Sequence, residues 1–424
     1  MDAPSDAGPA ATTRGGPLHE SERRLVLLLA VVQFVNVLDF MMVMPLGPDF
    51  SRALGIPIAK LGLIGGSYTA AASVSGFVST FVIDRFRRKQ ALMVVVAGLG
   101  LATLAGALAT GLGTLLLARV LAGAFGGPAT ALSLAIVADA VPLERRGRAL
   151  GMVMGAFSIA SIAGVPAGLE LARLGGWRAP FVAVGLLTLV TVAGAQLVMK
   201  DTGAPPRREG LSASRLFAQL RETDSALSFL IGALVMFASF LVVPNIASYV
   251  QKNLGYPRER IGLMYLTGGV TSLVAMQIAG RAIDRYGART TNLVGSLVAI
   301  TALVVGIVSP IASLPPPVFS ALFMAGTSVR AIAFNALTSR VPAPEERGAF
   351  MSMQSTLQHL ASAAGAFVSS QLLQSDATGY LIGIDRVALV SVALSVLVPL
   401  LVALLERRVD ARQLAVVEGA TGAP

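Results

Sequence analysis

Runs of twenty or more residues nearly free of Asp, Glu, Lys and Arg recur along the whole chain, and no other feature limits its fold so severely. Crossing about 30 Å of hydrocarbon takes roughly 20 helical residues. Twelve segments meet that length, at 24–46, 61–83, 90–110, 113–138, 147–170, 179–199, 226–250, 261–283, 290–311, 317–339, 349–372 and 384–405. With 54% hydrophobic and only 13% charged residues among 424, the apolar surface exceeds what a water-soluble core hides, so lipid must solvate it. The expected class is an all-α polytopic membrane protein of twelve transmembrane helices.

Two long uncharged stretches need internal turns. In residues 290–329, Pro315-Pro316-Pro317 lacks the backbone donors of a lipid-embedded helix and marks a hairpin between two spans. In residues 90–118, Thr110-Gly111-Leu112-Gly113 supplies the turn. A single offset of 200 residues then relates Ile83-Asp84-Arg85 to Ile283-Asp284-Arg285, Leu54-Gly55-Ile56-Pro57 to Leu254-Gly255-Tyr256-Pro257, Gly62-Leu63 to Gly262-Leu263, and Val141-Pro142 to Val341-Pro342. The chain is therefore expected to contain two homologous six-helix halves in tandem, at 24–199 and 226–406.

Positive charge sets an orientation. If the N-terminus is cytoplasmic, 23 of the 33 Lys and Arg fall on that side and eight on the other, leaving Arg119 and Arg330 within spans. Both termini are thus expected in the cytoplasm, the chain lying in a bacterial inner membrane. This bias and the anionic inner leaflet account for the net charge of +10 without a nucleic-acid partner. Residues 1–23 read as a disordered tail without signal-peptide features, and 407–424 as a C-terminal tail. The linker 200–225 places Leu211, Leu216, Phe217 and Leu220 near one helical face, the pattern of a helix on the membrane surface or of a plain linker. Zero cysteines exclude disulfides, and two histidines, His19 and His359, make a multi-histidine metal centre implausible. There is no G-x-x-x-x-G-K-[ST] loop, so ATP hydrolysis is not expected, and neither a cofactor, a metal nor an enzymatic activity is implied.

Twelve spans in two parallel halves, with an Asp-Arg signature after the second span of each, resemble the major facilitator superfamily along essentially the whole chain. The second copy, Gly280 to Arg289, matches that family's signature well, whereas Thr80 and Arg87 replace glycines in the first. The first half is similar to the twelve-helix drug:proton antiporters on three features: Asp39 followed by Pro45-Leu46-Gly47-Pro48, Arg119 with Gly123, and Gly155, Gly164, Pro166 and Gly168 in the fifth span. Val165 and Leu169-Glu170 depart from the antiporter motif. The resemblance implies an exporter working by alternating access with proton antiport, taking lipophilic or amphipathic small molecules, and a monomer is expected. A sugar or metabolite exporter, an uncoupled facilitator, or a non-transporting sensor or assembly factor on the same fold remain alternatives.

Ionisable groups inside spans cost several kcal/mol unless they face a partner or a polar cavity. Asp39 lies six residues before Pro45 and Arg119 six after Gly113, so both sit about 9 Å below the outer surface, where contact is open. A carboxylate beside arginine stays ionised, whereas in apolar surroundings it holds its proton, and alternation between the two would couple proton movement to rocking. Asn36, one turn below Asp39, is expected to hydrogen-bond it. Arg330 and His359 lie at mid-depth, and Arg330 would meet a substrate anion or carbonyls at a helix break. With Gln33, Asn245, Asn335, Gln354 and Gln358 they are cavity candidates, with glue between helices as the alternative. The family's signature implies a cytoplasmic gate from Asp84, Arg85, Asp284, Arg285 and Arg289, with Asp139 bridging Arg85 in the first half. Methionines 41, 42, 44, 152, 154, 351 and 353 suit an adaptable pocket but equally serve as filler.

Overall fold

The computed structural model describes residues 18–82, 85–199, 218–343 and 346–421, so Asp84 and most of the linker, including Leu211, Leu216 and Phe217, lie outside the described residues. The first half consists of α1 (Glu20–Val43), a short α2 (Gly47–Leu54), α3 (Gly62–Val82), α4 (Arg88–Ala107), α5 (Leu112–Ala140), α6 (Leu143–Ile159), α7 (Val165–Gly175) and α8 (Arg178–Val198). The second consists of α9 (Thr223–Val242), α10 (Ile246–Lys252), α11 (Ile261–Leu303), α12 (Pro316–Thr338), α13 (Arg347–Leu372) and α14 (Ile384–Thr421). Helix α14 thus continues through residues read from sequence as a tail.

Ten helical stretches are long and apolar enough to cross a membrane. One of them, Arg258–Val308, holds two crossings, because the chain reverses at Gly287 (φ 82, ψ 164). Helix α13 adds the remaining crossing, its hydropathy lowered by Gln354, Gln358, His359 and several serines. The total among the described residues is twelve.

Turn geometry repeats at the same 200-residue offset. Gly55 and Gly255 both take φ 65, the left-handed conformation that glycine adopts without steric cost. Each precedes a proline and a 3₁₀ turn, Ile58–Lys60 in the first half and Arg258–Arg260 in the second. The first signature does not need a glycine where the second has Gly287: Arg87 there is extended (φ −62, ψ 127). Pro315 caps α12, with Pro316 and Pro317 in its first turn, where the missing amide hydrogens have no helical partner to lose. Pro166 opens α7, and the π-helical turn Ala160–Gly164 just before it accommodates the backbone group that proline leaves without a donor.

The ends of the molecule differ. On the terminal face, where α1 begins and α14 leaves the bundle, three ion pairs among the described residues each lie within one half: Arg145 to Glu22 at 3.2 Å, Arg408 to Asp224 at 2.6 Å, and Arg340 to Asp410 at 2.7 Å. On the opposite face the halves are pinned together. There Asp49 of α2 accepts two bonds from Arg258, from Nε at 2.9 Å and Nη2 at 2.6 Å. Phe40 and Phe240, equivalent under the offset, stack on one another with centroids 6.2 Å apart. Helix α3 packs along α13, and Ser73 Oγ donates to Thr356 O at 2.8 Å. Helix α11 meets the fifth crossing through α7 and the π turn. The molecule is therefore closed on the opposite face.

A hairpin absent from the sequence reading, β1 (Gln374–Ser375) paired with β2 (Leu381–Ile382), joins α13 to α14 on that face. Asp376 closes it by accepting from the Thr378 and Tyr380 amides, each at 2.9 Å. The Thr378 hydroxyl leads, with those amides, in holding the Asp376 carboxyl below the ordinary carboxylate range.

Candidate functional site

Asp39 and Arg119 form a sealed ion pair in the core of the first half. Arg119 Nη1 donates to Asp39 Oδ2 at 2.9 Å and to Oδ1 at 3.1 Å, and Nη2 reaches the Asp39 carbonyl at 3.3 Å. Their side chains are 0% and 1% exposed. Thr103 of α4 donates to Asp39 Oδ1 at 2.8 Å, and the Tyr68 ring of α3 lies 4.8 Å beneath the guanidinium. Four helices thus enclose one carboxylate. Low dielectric strengthens such a pair, but desolvation of two charges offsets much of the gain, so its presence points to a role beyond stability.

Asn36 does not bond Asp39, as its position one turn away suggested. Its amide nitrogen donates to Gly126 O at 3.1 Å and Thr130 Oγ1 at 2.9 Å, while its oxygen accepts from Tyr68 Oη at 2.7 Å. The α1 surface there faces α5 and α3, so Asn36 fixes the tyrosine that covers the pair. Tyr68 also packs on Phe40 at 5.2 Å, which continues the contact to Phe240 in the other half. A line of aromatic rings therefore runs from the interface between the halves to Arg119.

The expected bridge between Asp139 and Arg85 does not form. Asp139 accepts from Arg88 Nε at 2.9 Å, and Arg85 is exposed. Arg88 begins α4 and points toward the end of α5, whereas Arg85 precedes the turn and points out. This pair lies within the first half and does not tie the halves together. In the second signature Asp284 is exposed, Arg285 lies over the adjacent Tyr286 ring at 5.2 Å, and the Arg289 amide reaches Glu406 at 3.4 Å. Among the described residues Asp49 and Arg258 form a bridge that joins the halves, a pairing absent from the sequence reading. Both residues flank spans, where charge is ordinary, and only the packing of α2 against α10 makes them partners.

Arg330 is 2% exposed and sits within the second half. Its Nη1 contacts Ser395 Oγ at 3.3 Å and its Nη2 Ser239 Oγ at 3.2 Å. Asn245, in the 3₁₀ turn that follows α9, donates to Ser369 of α13 at 2.9 Å and acts as glue between the two elements. Gln33 and Gln354 are buried with unpartnered Oε1 atoms. Gln358 is half-buried and packs against Gly232, His359 is half-buried with Ser355 Oγ at 3.5 Å, and Asn335 is exposed. In the antiporter-like segment, Gly164 faces Leu38 and Phe34 of α1, Gly168 faces Met42, and Pro166 faces Gly262 of the other half, while Gly155 has open space. Met42 and Met353 are core, and Met154 and Met351 are exposed. Among the described residues no cluster of His, Cys, Asp or Glu could hold a metal.

Two homologous six-helix bundles, pinned together at one face and each burying an intramembrane arginine, define a multi-pass α-helical membrane protein of the transporter type. The family model of the Major Facilitator Superfamily matches residues 29–366 and, in a second match, 228–421, and the chain belongs to that superfamily. It is similar to a chloramphenicol resistance protein of Streptomyces lividans, 28% identical over 283 residues that cover 65% of this chain and 70% of the relative. It is also similar to an uncharacterized transporter of the superfamily, YfhI of Bacillus subtilis, 23% identical over 83% of this chain and 88% of that one. Among solved structures, the nucleoside transporter NupG matches with a TM-score of 0.74 at 12% identity, covering 90% of this chain and 99% of that one. An inward-facing bacterial homologue of the human lysosomal transporter Spinster matches with a TM-score of 0.70 at 15% identity, covering 92% and 98%. These two likenesses concern the fold.

Proposed function

We propose that the protein is a secondary active transporter that exports small lipophilic or amphipathic molecules by alternating access, driven by proton antiport, and that it does no enzymatic chemistry. The sealed Asp39–Arg119 pair carries this reading. It is a titratable group inside the membrane, covered by Tyr68, whose ring is linked through Phe40 to the surface where the halves meet. Rocking of the halves would shift that aromatic line, expose Asp39 and weaken its hold on Arg119. The carboxylate then takes a proton on one side and returns it on the other.

The terminal face is assigned to the cytoplasm of a bacterial cell, on the charge bias of the loops. The described state, closed on the opposite face, is then one that is shut to the outside. Two six-helix units, 24–199 and 226–406, are the bodies that rock, and the antiporter-like segment around Pro166 is the surface over which α11 moves. The similarity to a chloramphenicol resistance protein makes chloramphenicol the first compound to test.

The experiment is transport into inside-out vesicles or oriented proteoliposomes with an imposed pH gradient. Gradient-driven movement of chloramphenicol or ethidium by the wild-type protein, lost in Asp39→Asn while slow downhill flux survives, is the expected result. Full uphill transport by Asp39→Asn would falsify the coupling role. Binding without flux in either direction would favour a sensor on the same fold.

A further inference from the structure

The two halves treat their buried arginines differently. In the first half Arg119 is answered by the Asp39 carboxylate at 2.9 Å. In the second half the residue 200 positions on from Asp39 is Ser239, and Arg330 turns its guanidinium to that serine. The equivalence holds locally in space, because the next residues, Phe40 and Phe240, stack on each other across the halves. Position 39 and position 239 therefore both project into their own bundle at the same level, one with a carboxylate and one with a hydroxyl.

Arg330 is consequently a desolvated cation with only neutral acceptors. Its contacts to Ser239 and Ser395 are 3.2 and 3.3 Å, at the long end for hydrogen bonds, and its Nε has no partner. Among the described residues it makes no ion pair, and it is 2% exposed. Burial of a cation this way is strongly unfavourable unless an anion compensates it. Serine at position 239, where the first half has Asp39, is also smaller than a carboxylate side chain beside the guanidinium. Ser239 gives its hydroxyl hydrogen to the Val235 carbonyl at 2.8 Å, and that hydroxyl and the one on Ser395 can both rotate toward an anion.

We propose that Arg330, Ser239 and Ser395 form a binding site for one small monovalent anion, a halide or a carboxylate, inside the second six-helix bundle. The bound anion fills the role that Asp39 plays toward Arg119. Its source is either free in solution or the carboxylate of an organic molecule. The site does not depend on proton coupling or on export.

The test is thermal unfolding of the full-length protein in detergent at constant sodium, with no transported compound present. Sodium chloride and sodium formate are compared with sodium gluconate, whose hydrated polyol chain is not admitted to an apolar bundle. Sodium benzoate is compared with benzamide, which lacks the charge. A ligand of the native state raises the unfolding midpoint, so a rise in chloride and formate over gluconate is expected for a free anion. A rise with benzoate alone, with benzamide inert, would assign the site to an organic carboxylate.

Two variants decide whether either rise belongs to Arg330. Arg330→Gln removes the cation, and Ser239→Asp supplies the missing carboxylate from the chain. Both should lose the anion-dependent shift, and Ser239→Asp should melt in gluconate at or above the wild-type midpoint in chloride. If Ser239→Asp does not fold, Ser395→Asp serves the same purpose from α14. An identical wild-type midpoint in every salt, or a shift that survives in Arg330→Gln, overturns the proposal and leaves the transport reading untouched.

Discussion

Removing the Asp39 carboxylate should destabilise the first half as well as uncouple transport, and the size of the effect follows from its surroundings. Asp39 and Arg119 are 0% and 1% exposed, so Asp39→Asn leaves a guanidinium with no charge partner in a dry core. Breaking one side of such a pair costs about 3–5 kcal/mol. Arg119→Met leaves the opposite charge, eased by the one bond from Thr103, and should cost a similar amount. With both charges gone the penalty no longer applies twice, so the double variant should be better than the sum of the singles by about 3 kcal/mol. That is a factor of roughly 150 in the folding equilibrium. The chain supplies its own probe, since Trp177 is its one tryptophan and packs edge-on against Phe50 and Phe181 in the same half. Unfolding by SDS in mixed micelles, followed by Trp177 fluorescence, gives the four stabilities of the cycle. A cost below about 1 kcal/mol for either single variant, or strict additivity, would refute the sealed pair.

Four further outcomes test other parts of the molecule. Arg258→Gln removes the charge-assisted bridge to Asp49, typically worth about 1.5–3 kcal/mol, and should raise labelling of Ser248→Cys from the opposite face about tenfold; unchanged labelling would deny it a latching role. Gly123→Ala would drive a methyl group into the Tyr68 carbonyl of α3 and should cost about 1–3 kcal/mol by thermal unfolding, with a wild-type midpoint counting against the close approach. Gly113 and Gly147 have open space for a side chain, unlike Gly175, whose added Cβ would lie 2.9 Å from Ala179. In a chain without cysteine, Gly113→Cys should react with an impermeant thiol reagent on intact cells and Gly147→Cys only after permeabilisation, and the reverse would invert the assigned orientation. Because the folded-state value of Asp376 is depressed, its support for the β1–β2 hairpin is present above the unfolded carboxylate value and is lost as pH falls through the folded one. The protection factors of the Thr378 and Tyr380 amides, their exchange rates measured against the intrinsic rate at each pH, should therefore fall in acid, and Asp376→Asn should show that lowered protection already at neutral pH.

What could be read from the sequence followed from rules that act along the chain. Lipid solvation fixes span length and the 200-residue offset fixes the repeat, and the matching φ of Gly55 and Gly255 reproduces that offset in backbone geometry. The Asp39–Arg119 contact was legible because two opposite charges at one depth have few other partners. What stayed hidden depends on how helices rotate about their axes. Thr103 and Tyr68 carry no signal that separates them from other hydroxyl-bearing residues in the spans, yet both reach the pair. Asn36 was placed by spacing along its own helix, but its partners come from α3 and α5. Asp139 was assigned to Arg85 when Arg88, three residues on, has the inward direction. The bridge between Asp49 and Arg258 spans 209 residues and arises from tertiary packing alone.

The sealed pair also sets an order of events during synthesis. Asp39 and Arg119 are 80 residues apart, and at about 5–20 residues per second the arginine follows the aspartate by roughly 4–16 s. For that interval α1 must enter the bilayer with an acid near its outer end, at an insertion cost of up to about 2.5–3.5 kcal/mol if the acid is charged. Helix α4, which brings Thr103, arrives before the arginine does, so a protonated Asp39 held by Thr103 is a way station the nascent chain can occupy. The arginine of α5 then enters beside an acid already in place, and its own insertion is eased by the partner that preceded it. Biogenesis would accordingly tolerate loss of Asp39 less well when the membrane insertion machinery is limiting, because Arg119 would enter with no acid to receive it.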